Sequence, residues 1–156
     1  IYYNPINKTL RIHNSLNREE TLARVLQHAE VRKDGIGYNI WNTHFTWTKD
    51  GETDSTQERH IAILLDKIKN YGDCILCGDF NAPRGKDIYS MISEILIDNI
   101  PENCLSTLDS LHHKSPYLSL VVDSIFTSQN YKATSVRLQN DVSDHLAILC
   151  DVLKLE

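Results

Sequence analysis

Cys74-Ile75-Leu76-Cys77-Gly78-Asp79-Phe80-Asn81 is a short apolar run closed by Gly-Asp-Phe-Asn, and it reads as a buried strand that surfaces at its C-terminal end. Alternation along that strand sends Phe80 into the core and sets Asp79 and Asn81 on the opposite side. Two oxygen-bearing side chains at one strand end can orient a water or bind a hard cation, and the C-terminal ends of strands are where such groups become accessible. A polar turn ahead of Pro83 and Gly85 would use the same residue types. The alternation also separates Cys74 from Cys77, so a shared metal is not expected; with Cys104 and Cys150 distant, all four are read as apolar thiols of a reducing, cytoplasmic setting.

Upstream lies the clearest helix, predicted over Ser55 to Tyr71. Ser55-x-x-Glu58 has the form of a capping box, Ile61, Leu64, Leu65 and Ile68 form one stripe, and Gly72 follows as the stop. Downstream, Ile88, Met91, Ile92, Ile95 and Leu96 predict a second helix over Lys86 to Leu96, ended by Asp98-Asn99 and Pro101. Strands are expected at Ile1 to Tyr3, Gly37 to Trp47, Leu118 to Thr127 and Leu146 to Leu153, which makes the class mixed α/β in a single domain. Asn17 to Val31 fits a helical face through Leu22, Val25, Leu26 and Ala29, and a strand through Val25, Gln27, Ala29 and Val31. The Asp34-Gly35 turn favours the strand, with Arg24 to Arg32 as the antiparallel partner of the segment that follows.

Within Trp41-Asn42-Thr43-His44-Phe45-Thr46-Trp47, alternation predicts Trp41, Thr43, Phe45 and Trp47 on the core side and Asn42, His44 and Thr46 on the other. In Val121-Val122-Asp123-Ser124-Ile125-Phe126 a carboxylate interrupts an apolar strand, and an unpaired charge there would cost several kcal/mol. Asp123 therefore needs a partner. His145, in Ser143-Asp144-His145 at the entrance to the last apolar run, supplies one, because a carboxylate fixes an imidazole's tautomer and supports its charged form.

Composition sets the bounds. The 156 residues are 41% hydrophobic and 24% charged, enough for a core without disulfide staples, and no apolar run reaches the length of a membrane span. With 16 Lys+Arg against 21 Asp+Glu the net charge is -5, and the basic residues are scattered, which argues against a general nucleic-acid coat.

Four short motifs stand in one order: Asn42-Thr43-His44-Phe45, Gly78-Asp79-Phe80-Asn81, Val122-Asp123-Ser124-Ile125-Phe126 and Ser143-Asp144-His145. In that order and spacing the sequence resembles the endonuclease/exonuclease/phosphatase superfamily, which includes deoxyribonuclease I, apurinic endonucleases, neutral sphingomyelinases and inositol polyphosphate 5-phosphatases. The resemblance implies a four-layer α/β/β/α sandwich and Mg²⁺-dependent hydrolysis of a phosphoester, with Mn²⁺ as the alternative ion. It implies that His145 is the acid or base at the phosphate, held by Asp123, and that Asp79 orients the water. It further implies that Asn81 and His44 contact the phosphoryl oxygens, and that Asp144, together with Asp79 and Asn81, binds metal.

The substrate expected is a phosphoester: a nucleic acid, a phospholipid head group or a small phosphate ester. The family's early Gln-Glu motif has no counterpart among the 43 residues before His44, and the chain opens Ile1-Tyr2-Tyr3 without Met. Residues 1–156 are thus expected to be the C-terminal part of one such domain, weak or inactive alone. The competing expectation is a non-catalytic module with the same sandwich that only binds a phosphate ligand. Thr48 to Asp54 and Ser106 to Pro116, the latter with His112-His113-Lys114, are the loops expected to set substrate choice.

Overall fold

The computed structural model describes residues 24–155, so the strand expected at Ile1 to Tyr3 lies outside the described residues. Strands β1 (Leu26–Lys33) and β2 (Ile36–His44) form the expected hairpin. Its turn, Asp34-Gly35, has φ of 53° and 81°, the pair of positive values a two-residue turn needs to follow the strands' twist. Helix α1 (Ser55–Tyr71) then crosses over to β3 (Ile75–Asp79), which lies parallel to β2. After α2 (Asp87–Ser93) and the short β4 (Ile97–Asp98), β5 (Asp123–Thr127) returns antiparallel between β3 and β4. The sheet order is β1-β2-β3-β5-β4; β6 (Tyr131–Gln139) and β7 (Ala147–Lys154) make a separate antiparallel pair.

The helices cover one face of the five-stranded sheet. Ile61, Leu64 and Ile68 of α1 and Ile88, Tyr89 and Ile92 of α2 close over Trp41, Leu76, Phe80 and Phe126, all buried. Each such aliphatic side chain contributes about 1.5–3 kcal/mol. β6 and β7 reach the hairpin that begins the larger sheet: the Asn39 amide donates to the Tyr131 hydroxyl (3.3 Å) and Lys154 Nζ to the Gly37 carbonyl (3.1 Å). Helices, sheet and second sheet are three layers of the expected sandwich. No helix among the described residues is long and apolar enough to cross a membrane.

Several expectations need correction. α1 has the predicted bounds, but its cap is Asp54, whose carboxylate accepts from the Gln57 amide (2.8 Å), and Ser55 is the first helical residue. α2 is shorter than predicted, and Met91 and Ile95 are exposed. The chain tightens after Ser93 and turns back as β4, so only Ile88, Tyr89, Ile92 and Leu96 reach the core. β2 stops at His44. Trp47 is therefore exposed rather than core-facing, while Thr46 is buried with its hydroxyl 2.6 Å from Nδ1 of the fully buried His60. β5 begins at Asp123, not Leu118, because the carbonyls before it accept from other segments: Leu120 from the Thr107 N–H, Val121 from the Arg84 N–H and Val122 from the Phe80 N–H.

β6 has no counterpart in the sequence reading. The four cysteines are free thiols as expected; Cys74 is fully buried, which pushes its thiol up to about 12, and the others are half-buried. Behind β5, Asp98 joins Arg84, Tyr89 and Ser124 in one polar cluster that pins β4, β5 and the segment after Asn81 together.

Candidate active site

Sheet register brings three of the predicted residues into one row. His44 at the end of β2, Asp79 at the end of β3 and Asp123 at the start of β5 are direct cross-strand neighbours, and parity puts all three on the face away from the helices. The row depends on Gly78. Its φ is 137°, and a Cβ built there would lie 1.8 Å from the Thr43 carbonyl oxygen, so only glycine lets β2 and β3 close up beside Asp79.

Asn81 follows in a left-handed conformation, φ 49°. Its backbone amide donates to Asp79 Oδ1 (2.8 Å) and its side-chain Nδ2 to the Phe45 carbonyl (2.9 Å), which leaves the amide oxygen as the group it can offer a ligand. His44 Nε2 lies 3.3 Å from Asp79 Oδ2, with much of the imidazole exposed.

His145 arrives from the other sheet, two residues before β7. Nδ1 is 2.8 Å from Asp123 Oδ2, the partnership the buried carboxylate required. The bond assigns the proton to Nδ1 and leaves Nε2 as the working nitrogen. Ser143 holds the turn: its hydroxyl accepts from the His145 amide (3.0 Å) and donates to the His145 carbonyl (2.9 Å). Ligand atoms of Asp79, Asp123 and His145 all lie within 4.8 Å of one another.

The two ends of this cluster have different proton affinities. The hydrogen bond that His145 donates to Asp123 pushes its imidazole up to about 9, against the opposing effect of burial. Burial, followed by the like charge of Asp123, pushes the Asp79 carboxyl up to about 6. Both are raised together, so near neutral pH the imidazole is held as a proton donor beside an ionised carboxylate.

Asp144 is the predicted residue that the structure does not bring into the cluster. Its side chain is exposed and raises the proton affinity of His145 only as a nearby charge. Two carboxylates facing each other at adjacent strand positions, with Asn81 beside them, form an oxygen-rich donor set of the kind Mg²⁺ and Mn²⁺ prefer.

A second group, Asp109, His112 and Asp141, lies in the neighbouring loops. Both Asp109 oxygens accept backbone amides, from Leu111 and Asp141, which hold its carboxyl below the usual range. His112 Nε2 meets Asp141 Oδ1 at 3.2 Å, and the His113 ring stands edge-on to His145 at 6.2 Å between centroids. The sequence reading named the His112-His113-Lys114 loop but overlooked Thr107 and Asp109. A threonine and an aspartate in a loop carry no periodic signal.

No protein-family model matches the chain, and no curated protein matches it in sequence. Solved structures do match in fold. One is an endonuclease/exonuclease/phosphatase from Bacteroides vulgatus, with TM-score 0.65 and 19% identity over 85% of this chain and 56% of that one. Another is a functionally unknown conserved protein from Enterococcus faecalis V583, with TM-score 0.67 and 15% identity over 98% and 64%. D. rerio TDP2, complexed with a single-strand DNA product, gives TM-score 0.64 and 21% identity over 84% and 62%. The chain thus spans 56% to 64% of these structures. It has the deoxyribonuclease-I-like sandwich fold, the fold of the endonuclease/exonuclease/phosphatase superfamily.

Proposed function

We propose that this chain carries the chemistry of a metal-dependent phosphoesterase, hydrolysing a phosphodiester or phosphomonoester by in-line attack of water. The observation that supports this reading most is the Asp123–His145 bond of 2.8 Å beside Asp79, three groups from two sheets converging on one point. In this reading His145 Nε2 exchanges a proton at the phosphate, while Asp123 keeps the imidazole in the required tautomer and supports its cation. Asp79 accepts a hydrogen bond from the attacking water and so fixes its line of approach. His44 and the Asn81 amide bond the phosphoryl oxygens as negative charge builds on them.

Asp79 and Asn81 would hold the metal, and Asp144, exposed outside the cluster, would have to turn in from its loop to join them. When bound, a divalent cation offsets charge on the phosphoryl group and lowers the pKa of its water. The substrate belongs to the phosphoesters, whether nucleic acid, phospholipid head group or small phosphate ester.

Hydrolysis of bis-p-nitrophenyl phosphate and of p-nitrophenyl phosphate, by the protein expressed from its complete gene, tests the reading. Turnover is expected with Mg²⁺, is lost in chelator, and falls by about 10²- to 10⁴-fold in His145→Ala. A folded protein that hydrolyses neither ester with Mg²⁺ or Mn²⁺ overturns the catalytic assignments in favour of a phosphate-binding module.

A further inference from the structure

The Asp123–His145 pair has an unusual foundation. Asp123 begins a strand of the five-stranded sheet and His145 precedes a strand of the two-stranded one, and among the described residues no ladder joins those two sheets. A 2.8 Å bond across such a gap needs a tie, because each sheet can shift against the other without breaking its own hydrogen bonds.

The tie is Thr107-Leu108-Asp109, three consecutive residues that are all buried, at 0%, 7% and 3% exposure. On the Asp123 side, the Thr107 hydroxyl oxygen accepts both the Val122 amide (3.0 Å) and the Asp123 amide (3.1 Å), and the Thr107 amide donates to the Leu120 carbonyl (2.9 Å). On the His145 side, the Leu146 amide donates to the Thr107 carbonyl (2.8 Å), the Asp109 amide donates to the Asp144 carbonyl (3.0 Å), and Leu108 bridges His145 as an isolated antiparallel pair. The Asp109 carboxylate extends the hold by accepting the Asp141 amide at 2.9 Å.

One residue thus touches both halves: the hydroxyl of Thr107 bonds the backbone of Asp123 while its carbonyl bonds the residue after His145. We infer that Thr107 is a positioning residue, with Asp109 as its support, and that the Thr107 hydroxyl sets the Asp123–His145 separation. In kinetic terms the inference rests on the phosphoesterase reading; in structural terms it does not.

Thr107→Val keeps the side-chain volume and removes the acceptor, leaving two buried amides unpaired on the strand that carries Asp123. Thr107→Ser keeps the acceptor. Two readouts apply to the 156-residue chain and to the protein expressed from its complete gene. One is the far-downfield proton resonance of His145 Nδ1–H, identified by its disappearance in His145→Gln. The other is the split between kcat and KM on bis-p-nitrophenyl phosphate with Mg²⁺.

Thr107→Val, shown to be folded by circular dichroism, is expected to lose the resonance to exchange and to drop kcat by about tenfold or more with KM little changed. Thr107→Ser is expected to keep both. A folded Thr107→Val that retains the resonance and kcat overturns the inference.

If Thr107→Val does not fold, Asp109→Ala takes its place, since the Leu111 and Asp141 amides then both lose their acceptor. A broadened resonance supports the inference and an unchanged one overturns it. If the unsubstituted protein hydrolyses no phosphoester, the functional reading fails separately. The resonance then decides alone: loss in Val with retention in Ser upholds the tie, and persistence in Val removes it.

Discussion

Replacing Asp98 with Ala tests the frame that backs the site. The Asp98 carboxylate accepts from Arg84 Nε (2.9 Å), the Tyr89 hydroxyl (2.9 Å), the Ser124 hydroxyl (2.9 Å) and the Ile100 amide (3.1 Å), and pairs with Arg84 Nη2 at 2.7 Å. Its removal leaves the Arg84 guanidinium, three-quarters buried, with the Ile100 and Pro101 carbonyls and the face of the Tyr89 ring but no counter-charge among its described partners. The hydroxyls of Tyr89 and Ser124 lose their carboxylate acceptor within residues 2% and 1% exposed.

Breaking one side of a largely buried ion pair costs about 3–5 kcal/mol, because the remaining charge stays desolvated. For a chain of this size that is a fall in Tm on the order of 10 °C. The assay is thermal unfolding by circular dichroism of Asp98→Ala, Arg84→Ala and the double variant. Since the two residues act through one bond network, the double variant is expected to lose less than the sum of the singles by at least about 1 kcal/mol. A Tm within 2 °C of the unsubstituted protein, or strict additivity, refutes the reasoning.

Three further outcomes are expected. Gly78→Ala should destabilise by about 3 kcal/mol or more, read from its urea midpoint, because the new methyl group runs into the Thr43 carbonyl; an unchanged midpoint would show that the strands can separate freely there. Burial holds the His60 imidazole below its ordinary value of 6.5, so folding favours the neutral ring and the stabilisation is present above that pH and lost as pH falls. His60→Gln should therefore flatten the decline of Tm between about pH 7 and pH 5, and parallel declines in the two proteins would count against it. Asp123→Asn should lower kcat on bis-p-nitrophenyl phosphate by about 10²-fold or more while the fold persists, since the amide cannot support the His145 cation; full activity would remove Asp123 from its assigned role.

Local regularities account for what was readable early. The α1 stripe, Gly72 as its end and the Asp34-Gly35 hairpin rest on interactions within a few residues, and each appears in the fold near its predicted place. Where a local rule had two solutions the sequence reading erred: Asp54 and Ser55 are both good caps, and only the observed bond to Gln57 selects Asp54. β6 escaped for a definite reason. A bulge between Thr134 and Arg137, with Ser135 at φ 55°, shifts the parity, so Tyr131 and Ala133 face inward before it and Val136 and Leu138 after it. A period of two that changes phase midway leaves no alternation to find.

By itself the sequence singled out His44, Asp79, Asn81, Asp123 and His145 as candidates: Asp123 interrupts an apolar strand, Asp79 and Asn81 close another, and the four short motifs stand in the order that resembles the superfamily. Tertiary structure alone decided how they meet. The row of His44, Asp79 and Asp123 follows from strand order and register. The His145 bond crosses between sheets, and Thr107 and Asp109 hold that crossing through backbone amides. The Asp123–His145 pairing was legible from its residue types, but the amides that Thr107 and Asp109 bind lie far away in the chain and belong to the backbone, so no local pattern marks them.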